Sequence, residues 1–418
     1  MFAEFKDNLH SAIKWSEKYA KTDMVYVTEG GLWLTVAKGV GMVVSLLLAT
    51  AVANLVSPEV FGTYRFVISG AAIISAFSLA GIGVAITQAV ARGYEGALRR
   101  GVREYLKWSF GVIGVSLAVA AYYFLNDNYV LGISFVIVAA CHPLLTGFSF
   151  SAQFTSGKKD FKTHAVFDMA RNAVPAVILI ATLFVTDNPV LIVLAYFLSS
   201  VAIALLLYYA TLWKFKPNDM TDPQTISYSQ HLSVLGMLGK IAEHIDKVLI
   251  FHYLGAAQLA VYAFALTPIN QLKLLNDIPA KLAVPKLTQR PLGELRRSLP
   301  GKILMLIGIM TCLAGTYIVF APTVFRFLFP QYLNAVLFSQ IAALSLIFLP
   351  GSMFGEALTA HMRKKELYVS QTILPLSKIG LYFLLLPPFG VWGAIVATVV
   401  SQGLQLTVQG IQFWRASR

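Results

Sequence analysis

The amino-acid sequence predicts an all-α polytopic membrane protein of about twelve transmembrane helices, arranged as two parallel six-helix pseudo-repeats around a central cavity. Three observations predict it. Hydrophobic residues make up 57% of the 418 and charged residues only 13%, with a mean hydropathy of +0.68, whereas a soluble domain carries roughly 25% charge. Apolar runs of ~18 residues or more recur from end to end, the length a helix needs to cross a bilayer. Finally, most Lys and Arg gather in alternate short loops, as they do on the cytoplasmic side of membrane proteins.

Residues 1–28 are polar and contain no apolar stretch resembling a cleavable signal peptide. Phe2, Phe5, Leu9 and Ile13 recur there at helical spacing, with Lys6, Lys14, Lys18 and Lys21 among the polar positions. This reads as an amphipathic helix on the cytoplasmic membrane surface, with a disordered basic tail as the alternative. The first six spans, within 29–213, are expected near 30–54, 64–91, 106–125, 130–154, 165–186 and 189–213. A polar linker over 214–228 follows, rich in turn formers. The second six, within 229–418, fall near 230–254, 260–286, 302–321, 333–360, 366–387 and 391–414.

Loop charge orients the chain. The basic loops hold Arg92, Arg99, Arg100, Arg103 and Lys107, then Lys158, Lys159 and Lys162, then Lys214 and Lys216. They continue with Arg290, Arg296, Arg297 and Lys302, with Arg363, Lys364 and Lys365, and with Arg415 and Arg418. The intervening loops, near 55–63, 126–129, 187–188, 255–259 and 388–390, have no Lys or Arg, and only Arg326 breaks the pattern. Both termini are therefore expected in the cytoplasm and the protein in the cytoplasmic (inner) membrane. This distribution also explains the net charge of +13 without nucleic acid.

The halves look alike. Residues 56–64 (VSPEVFGTY) align with 254–262 (LGAAQLAVY), 96–100 (GALRR) with 293–297 (GELRR), and 157–161 (GKKDF) with 363–367 (RKKEL). Six spans per half is an even number, so the repeats are parallel.

One stretch departs from the apolar pattern. Residues 235–251 read as a span, yet carry Lys240, Glu243, His244, Asp246 and Lys247. At ~100° per residue Lys240, Glu243, His244 and Lys247 share one face, with Asp246 beside it. Charges at membrane depth normally face a bundle interior or a wet cavity. Lys38, Arg171, Lys273 and Lys378 also lie within apolar spans, and Arg65 sits near the outer end of the second. Asn270, Lys273, Asn276, Asp277 and Lys281 fall on one face of the eighth span. Lys273 and Lys378 lie about a dozen residues into their spans, near the midplane.

Several absences narrow the function. There is no G-x-x-x-x-G-K-[ST] loop for nucleotide hydrolysis, and no H-E-x-x-H or Cys cluster for a metal enzyme. Cys141 and Cys312 lie in apolar runs, against a disulfide framework. The outer loops are too short for a catalytic domain, so the chain is not expected to be an enzyme. No cofactor is expected beyond a coupling H+ or Na+.

The stretch Leu55-Val-Ser-Pro-Glu-Val-Phe-Gly-Thr-Tyr64, then Gly81-Ile-Gly83 with Thr87-Gln88, then Asp246-Lys247-Val-Leu-Ile250 with Leu254-Gly255 and Tyr262 together resemble the Wzx-type polysaccharide and O-antigen flippases. These belong to the multidrug/oligosaccharidyl-lipid/polysaccharide exporter superfamily. The resemblance covers nearly the whole chain from about residue 30; its motifs are turn and packing residues. It implies a MATE-like transporter that moves a polyprenyl-diphosphate-linked oligosaccharide to the outer leaflet by alternating access. Such a protein would work among membrane lipids beside polysaccharide polymerase or ligase machinery, and the pseudo-twofold implies that a monomer suffices.

The charges fit that implication. Lys38, Arg65, Arg171, Lys240, Lys247, Lys273 and Lys378 are candidates for a cationic cavity that lowers the barrier to a diphosphate. Asn270, Gln271 and Asn276 could supply amides to glycan hydroxyls. Asp168, Glu243, Asp246 and Asp277 are candidates for ion coupling or for structural pairing. The bland alternative stands beside these: Lys240 with Glu243, Glu243 with Lys247, Lys273 with Asp277 and Asp168 with Arg171 are spaced to neutralise one another. Two other functions stay open. A cation-coupled small-molecule or drug exporter would have an acidic cavity, and a membrane-embedded glycan polymerase or ligase would need an acid/base or metal site.

Overall fold

The computed structural model describes residues 24–288, 291–361 and 363–417, with side chains described except at 24–30, 275–288 and 364. The expected amphipathic helix over 2–24 thus lies almost wholly outside the described residues. Every described element is a helix.

In chain order these are α1 (Met24–Leu55), α2 (Pro58–Ile74), α3 (Ile82–Ala91), α4 (Ala97–Trp108), α5 (Phe110–Leu125), α6 (Tyr129–Phe148), α7 (Ser151–Gly157), α8 (Phe161–Leu183) and α9 (Pro189–Phe215). There follow α10 (Gln224–Leu254), α11 (Ala256–Thr288), α12 (Leu292–Leu328), α13 (Val336–Ala343), α14 (Ser345–Phe348), α15 (Ser352–Ala360) and α16 (Lys364–Ala416). Nine of the described helical stretches are long and apolar enough to cross a membrane. The longest of them, Lys365–Ala416, is really two passes, because Gly390 interrupts α16 with φ 57° and ψ −137°. The charged helices α10 and α11, of 31 and 33 residues, are long enough to span as well. With these two the passes reach the twelve expected from the sequence.

Helix ends differ from the expected spans for local reasons. Residues 55–63 read as a loop, but α2 starts at Pro58: Ser57 accepts a hydrogen bond from the Val60 N–H, and proline presets the first helical φ. Asn128 and Asn188 cap α6 and α9 in the same way. The second span is broken at 78–81, between a short 3-10 turn and α3. Between the halves, α9 runs to Phe215 and α10 starts at Gln224, leaving only 216–223 as linker. Gly255, with φ +85°, is all that separates α10 from α11.

Helices α1, α5, α6, α8 and α9 pack among themselves, as do α10, α11, α12, α13, α15 and α16. A seam joins the two groups, with α2 and α3 against α10 and α11. Phe66 stacks on Phe251 at 4.0 Å and Phe61 meets Phe264 at 4.8 Å between centroids. Small residues permit the approach. A Cβ on Gly62 would lie 1.8 Å from the Ala256 carbonyl oxygen, and one on Gly81 would lie 2.6 Å from that of Ser229. The Gly81 N–H instead donates to Ser233 Oγ at 2.8 Å.

Basic residues 92, 99, 103 and 158 gather on one face of the bundle, with the 216–223 linker and the ends of α6 and α9, while residues 59, 128 and 189, at the starts of α2, α6 and α9, line a recess at the other end. On this basic face the linker is strapped down. Arg92 pairs with Asp222 at 2.7 Å, Arg99 with Asp219 at 2.6 Å, and Lys158 with Glu95 at 2.6 Å, while the Asn218 N–H donates to Glu95 Oε2. Nearby, Asp160 caps α8. Burial alone would raise its carboxyl, but hydrogen bonds from the Thr163 N–H and hydroxyl and the Lys214 ammonium outweigh this and hold it below its ordinary value.

Two outcomes follow from this packing. Gly62→Ala forces the α2–α11 backbones apart, at about 1–3 kcal/mol for overpacking, so it should lower the melting temperature in detergent; Gly114→Ala, with nothing within 4 Å of its Cβ, should not. Because the folded-state value of Asp160 is depressed, its contribution is full above the ordinary carboxylate range and is lost as pH falls through that value. Stability measured from ~pH 5 to ~pH 2 should therefore decline less steeply in Asp160→Asn than in the parent.

Candidate functional site

The site is built on α10. Asp246 is 4% exposed, and a carboxylate taken out of water needs charge and hydrogen-bond partners. Lys247 Nζ donates to its two oxygens at 3.0 and 3.1 Å, and the Tyr262 hydroxyl of α11 donates to Oδ2 at 2.8 Å. The network continues into both halves of α16, with Thr398 Oγ1 lying 3.4 Å from the Tyr262 hydroxyl and 3.0 Å from that of Tyr382. Lys378, one helical turn before Tyr382, places its ammonium 5.9 Å from that ring's centroid.

Around this carboxylate three cations gather. Lys247, Lys273 and Lys378 lie within electrostatic reach of Asp246, and Lys273 feels both of the others. Glu243, exposed, acts on Lys378 and on Lys240. Of the pairings that helical spacing allows, those of Glu243 do not form among the described residues. Lys247 reaches its neighbour Asp246 rather than the Glu243 carboxylate, taking only the Glu243 carbonyl at 3.3 Å. Among the described residues no Lys240–Glu243 ion pair forms either. The reason is geometric: the Asp246 carboxylate is buried against Tyr262, and the flexible lysine stem bends to it.

A second cluster sits on α1 and α8. Arg171 and Asp168 stand 3.8 Å apart, the internal pairing that the sequence left open. His164 is in reach of both and of Lys38, and its Nδ1 lies 3.1 Å from Thr155 Oγ1. Arg171 Nε and Nη2 are buried without a hydrogen-bond partner among the described residues. Lys240 is in reach of His142 on α6 and so stands between the two halves. Gln271 joins them directly, donating from Nε2 to Ser45 Oγ of α1 at 2.9 Å, while Asn270 is exposed.

Arg65 stands apart from both clusters, near the face opposite the basic one. Its guanidinium lies 6.0 Å from the Phe61 centroid beside Tyr64 and Tyr196, and its Nε has no hydrogen-bond partner among the described residues. The side chains of Asn276 and Asp277 lie outside the described residues. Tyr382 and Thr398 carry no sequence signal of their own; the one available clue was the spacing of Lys378 and Tyr382, one turn apart. Among the described residues no group of His, Cys, Asp and Glu could hold a metal ion.

Chemically the arrangement offers fixed ammonium groups in excess of carboxylates, held at membrane depth by a hydrogen-bonded scaffold. Such a site favours an anion. Solved structures share the fold of this bundle. The lipid II flippase MurJ in an inward closed conformation superposes with a TM-score of 0.63 at 13% identity, over 92% of this chain and 90% of that one. An inward-facing multidrug resistance MATE family transporter of the MOP superfamily gives 0.63 at 14%, over 90% and 94%. A MOP superfamily transporter from Pyrococcus furiosus, whose reverse binding-pocket polarity suggests a different function, gives 0.62 at 14%, over 93% and 96%. No curated protein matches the chain. A family model described as "Polysaccharide biosynthesis protein" matches residues 27–289, more than half of the sequence, and the chain belongs to that family.

The scaffold predicts unequal costs. Asp246→Ala leaves buried cations without their counter-charge and should destabilise by about 3–5 kcal/mol. Tyr262→Phe removes one hydrogen bond from a carboxylate that keeps Lys247, and should cost about 1–2 kcal/mol. Thermal unfolding of the two purified variants tests the order.

Proposed function

We propose that the protein translocates a polyprenyl-diphosphate-linked oligosaccharide from the cytoplasmic to the outer leaflet of the cytoplasmic membrane by alternating access. The observation that carries this reading is the gathering of Lys247, Lys273 and Lys378 around one buried carboxylate. A diphosphate brings negative charge to membrane depth, and fixed ammonium groups replace the water it loses. The polyprenyl tail stays in lipid while the glycan passes the amides of Asn270 and Gln271. Membership of a polysaccharide biosynthesis family and a fold shared with a lipid II flippase support the same reading.

In this account Lys38 and Arg171 receive the diphosphate from the first-half side, and Lys240 hands it across. Arg65, near the outer face, meets it last. Coupling to H+ or Na+ falls to Glu243 or Asp168, since Asp246 is already matched by Lys247 and Tyr262. Both termini and the basic face are cytoplasmic, the monomer is sufficient, and a polymerase or ligase takes the glycan on the far side. A drug exporter of the same fold would carry cations, which an excess of lysine opposes.

Charge-assisted hydrogen bonds of ~1.5–3 kcal/mol correspond to about 10- to 150-fold in binding. Lys247→Ala, Lys273→Ala and Lys378→Ala should each lower export of the native glycan by at least tenfold at equal membrane level, with Lys273→Arg retaining most of it. Cells depleted of the protein should accumulate the complete polyprenyl-diphosphate glycan, seen in lipid-extract mass spectra. Full export by all three alanine variants would falsify the cationic mechanism, and absence of lipid-linked glycan build-up would remove the substrate class.

A further inference from the structure

Away from the charged clusters, a groove of about 680 Å³ opens on the basic face between α4, α6 and α9. Its construction follows from α4, which buries Leu98, Gly101, Val102 and Tyr105 and leaves Arg99, Arg103 and Lys107 on another face at four-residue spacing. These three cations form one wall of the groove, and Phe110, Phe148, Tyr208 and Leu212 form the apolar remainder. A recess of about 400 Å³ continues from it, sharing Arg99 and Arg103 and adding Arg100, Asp219 and Thr221.

The depth of the groove is marked by aromatic residues. Trp108 and Trp213 are 48% and 81% exposed and flank it, and Phe110, at 74%, projects from its rim. Exposed tryptophan beside an apolar span marks the level of lipid headgroups. The charge balance is positive. Arg99 is held by Asp219 at 2.6 Å and Lys107 by Glu104 at 2.9 Å, and Arg100 donates to Thr221 at 3.3 Å. Arg103 has no ion-pair partner among the described residues and is exposed. Asp219 stands in the recess, so an anion is favoured in the wider part, between Arg103 and Lys107.

We propose that this groove binds an anionic glycerophospholipid of the adjoining leaflet. Arg103 and Lys107 take the headgroup phosphate, and the acyl chains run down Phe110, Phe148 and Leu212. A free phosphate would make no use of the apolar wall, and a zwitterionic lipid would set its own cation against the arginines. Basic pockets between membrane helices are suited to such headgroups. The site shares no residue with the lysine cluster around Asp246. Through the Arg99–Asp219 pair it adjoins the linker, so leaflet charge bears on the segment that joins the two halves.

The test uses the full chain in nanodiscs of phosphatidylcholine with a minority of phosphatidylglycerol, followed by native mass spectrometry of the extracted protein. The parent should retain phosphatidylglycerol over phosphatidylcholine by about tenfold relative to the bulk mixture. R103Q/K107Q should lose that preference. Because both side chains are exposed, its melting temperature without added lipid should match the parent's. Phe110→Gln should also weaken retention, which a site for a free anion would not show. Equal retention of the two lipids by the parent, an unchanged preference in R103Q/K107Q, or displacement of the lipid by inorganic phosphate would each overturn the proposal.

Discussion

A carboxylate buried within a membrane-spanning helix dictates much of this structure. Asp246 is nearly inaccessible and is stable there only because Lys247 and Tyr262 supply charge and a hydrogen bond. Tyr262 in turn meets Thr398, and Thr398 meets Tyr382. One ionised group therefore ties α10, α11 and both passes of α16 into a unit. Lys378 and Lys273 stand in the field of the same carboxylate, which lowers the cost of holding several ammonium groups so close at that depth. The cluster retains more positive than negative charge, the balance that the proposed passage of a diphosphate requires.

The seam joins this unit to the other group of helices. Helices α2 and α3 meet α10 and α11 through glycines, stacked aromatic rings and the branched side chains of a shared apolar core. Gly62 and Gly81 let backbones touch across the seam, and Gln271 of α11 bridges separately to Ser45 of α1. Contacts made of small residues and a few hydrogen bonds can be exchanged without burying an unpaired charge. The charged scaffold around Asp246 stays within the second group of helices, so relative movement of the groups need not break it.

Most of the architecture was legible in the sequence, because membrane depth enforces length and hydropathy on every span. The charged stretch over 235–251 lies on α10, and Lys273 and Lys378 stand within electrostatic reach of its Asp246. Boundaries were less legible. Residues 55–63 looked like a loop because Ser-Pro-Glu is polar, yet the same residues cap and start α2. For Lys247 helical spacing offered Glu243 as one partner, but burial of Asp246 against Tyr262 gives the nearer carboxylate the stronger demand. Thr398 gave no signal and Tyr382 only its place one turn after Lys378, since their role depends on packing against Tyr262, far away in sequence. Family membership is shown over residues 27–289, where the motifs at 55–64, 81–88 and 246–262 lie.

Purified protein in liposomes gives a direct reading of translocation. A polyprenyl-diphosphate oligosaccharide carrying a fluorescent glycan is placed in both leaflets, and an impermeant quencher reports the fraction that stays protected. With the parent protein the protected pool should become accessible, and with Lys273→Ala it should do so far more slowly. A protected pool that persists in the presence of correctly inserted parent protein would contradict the account.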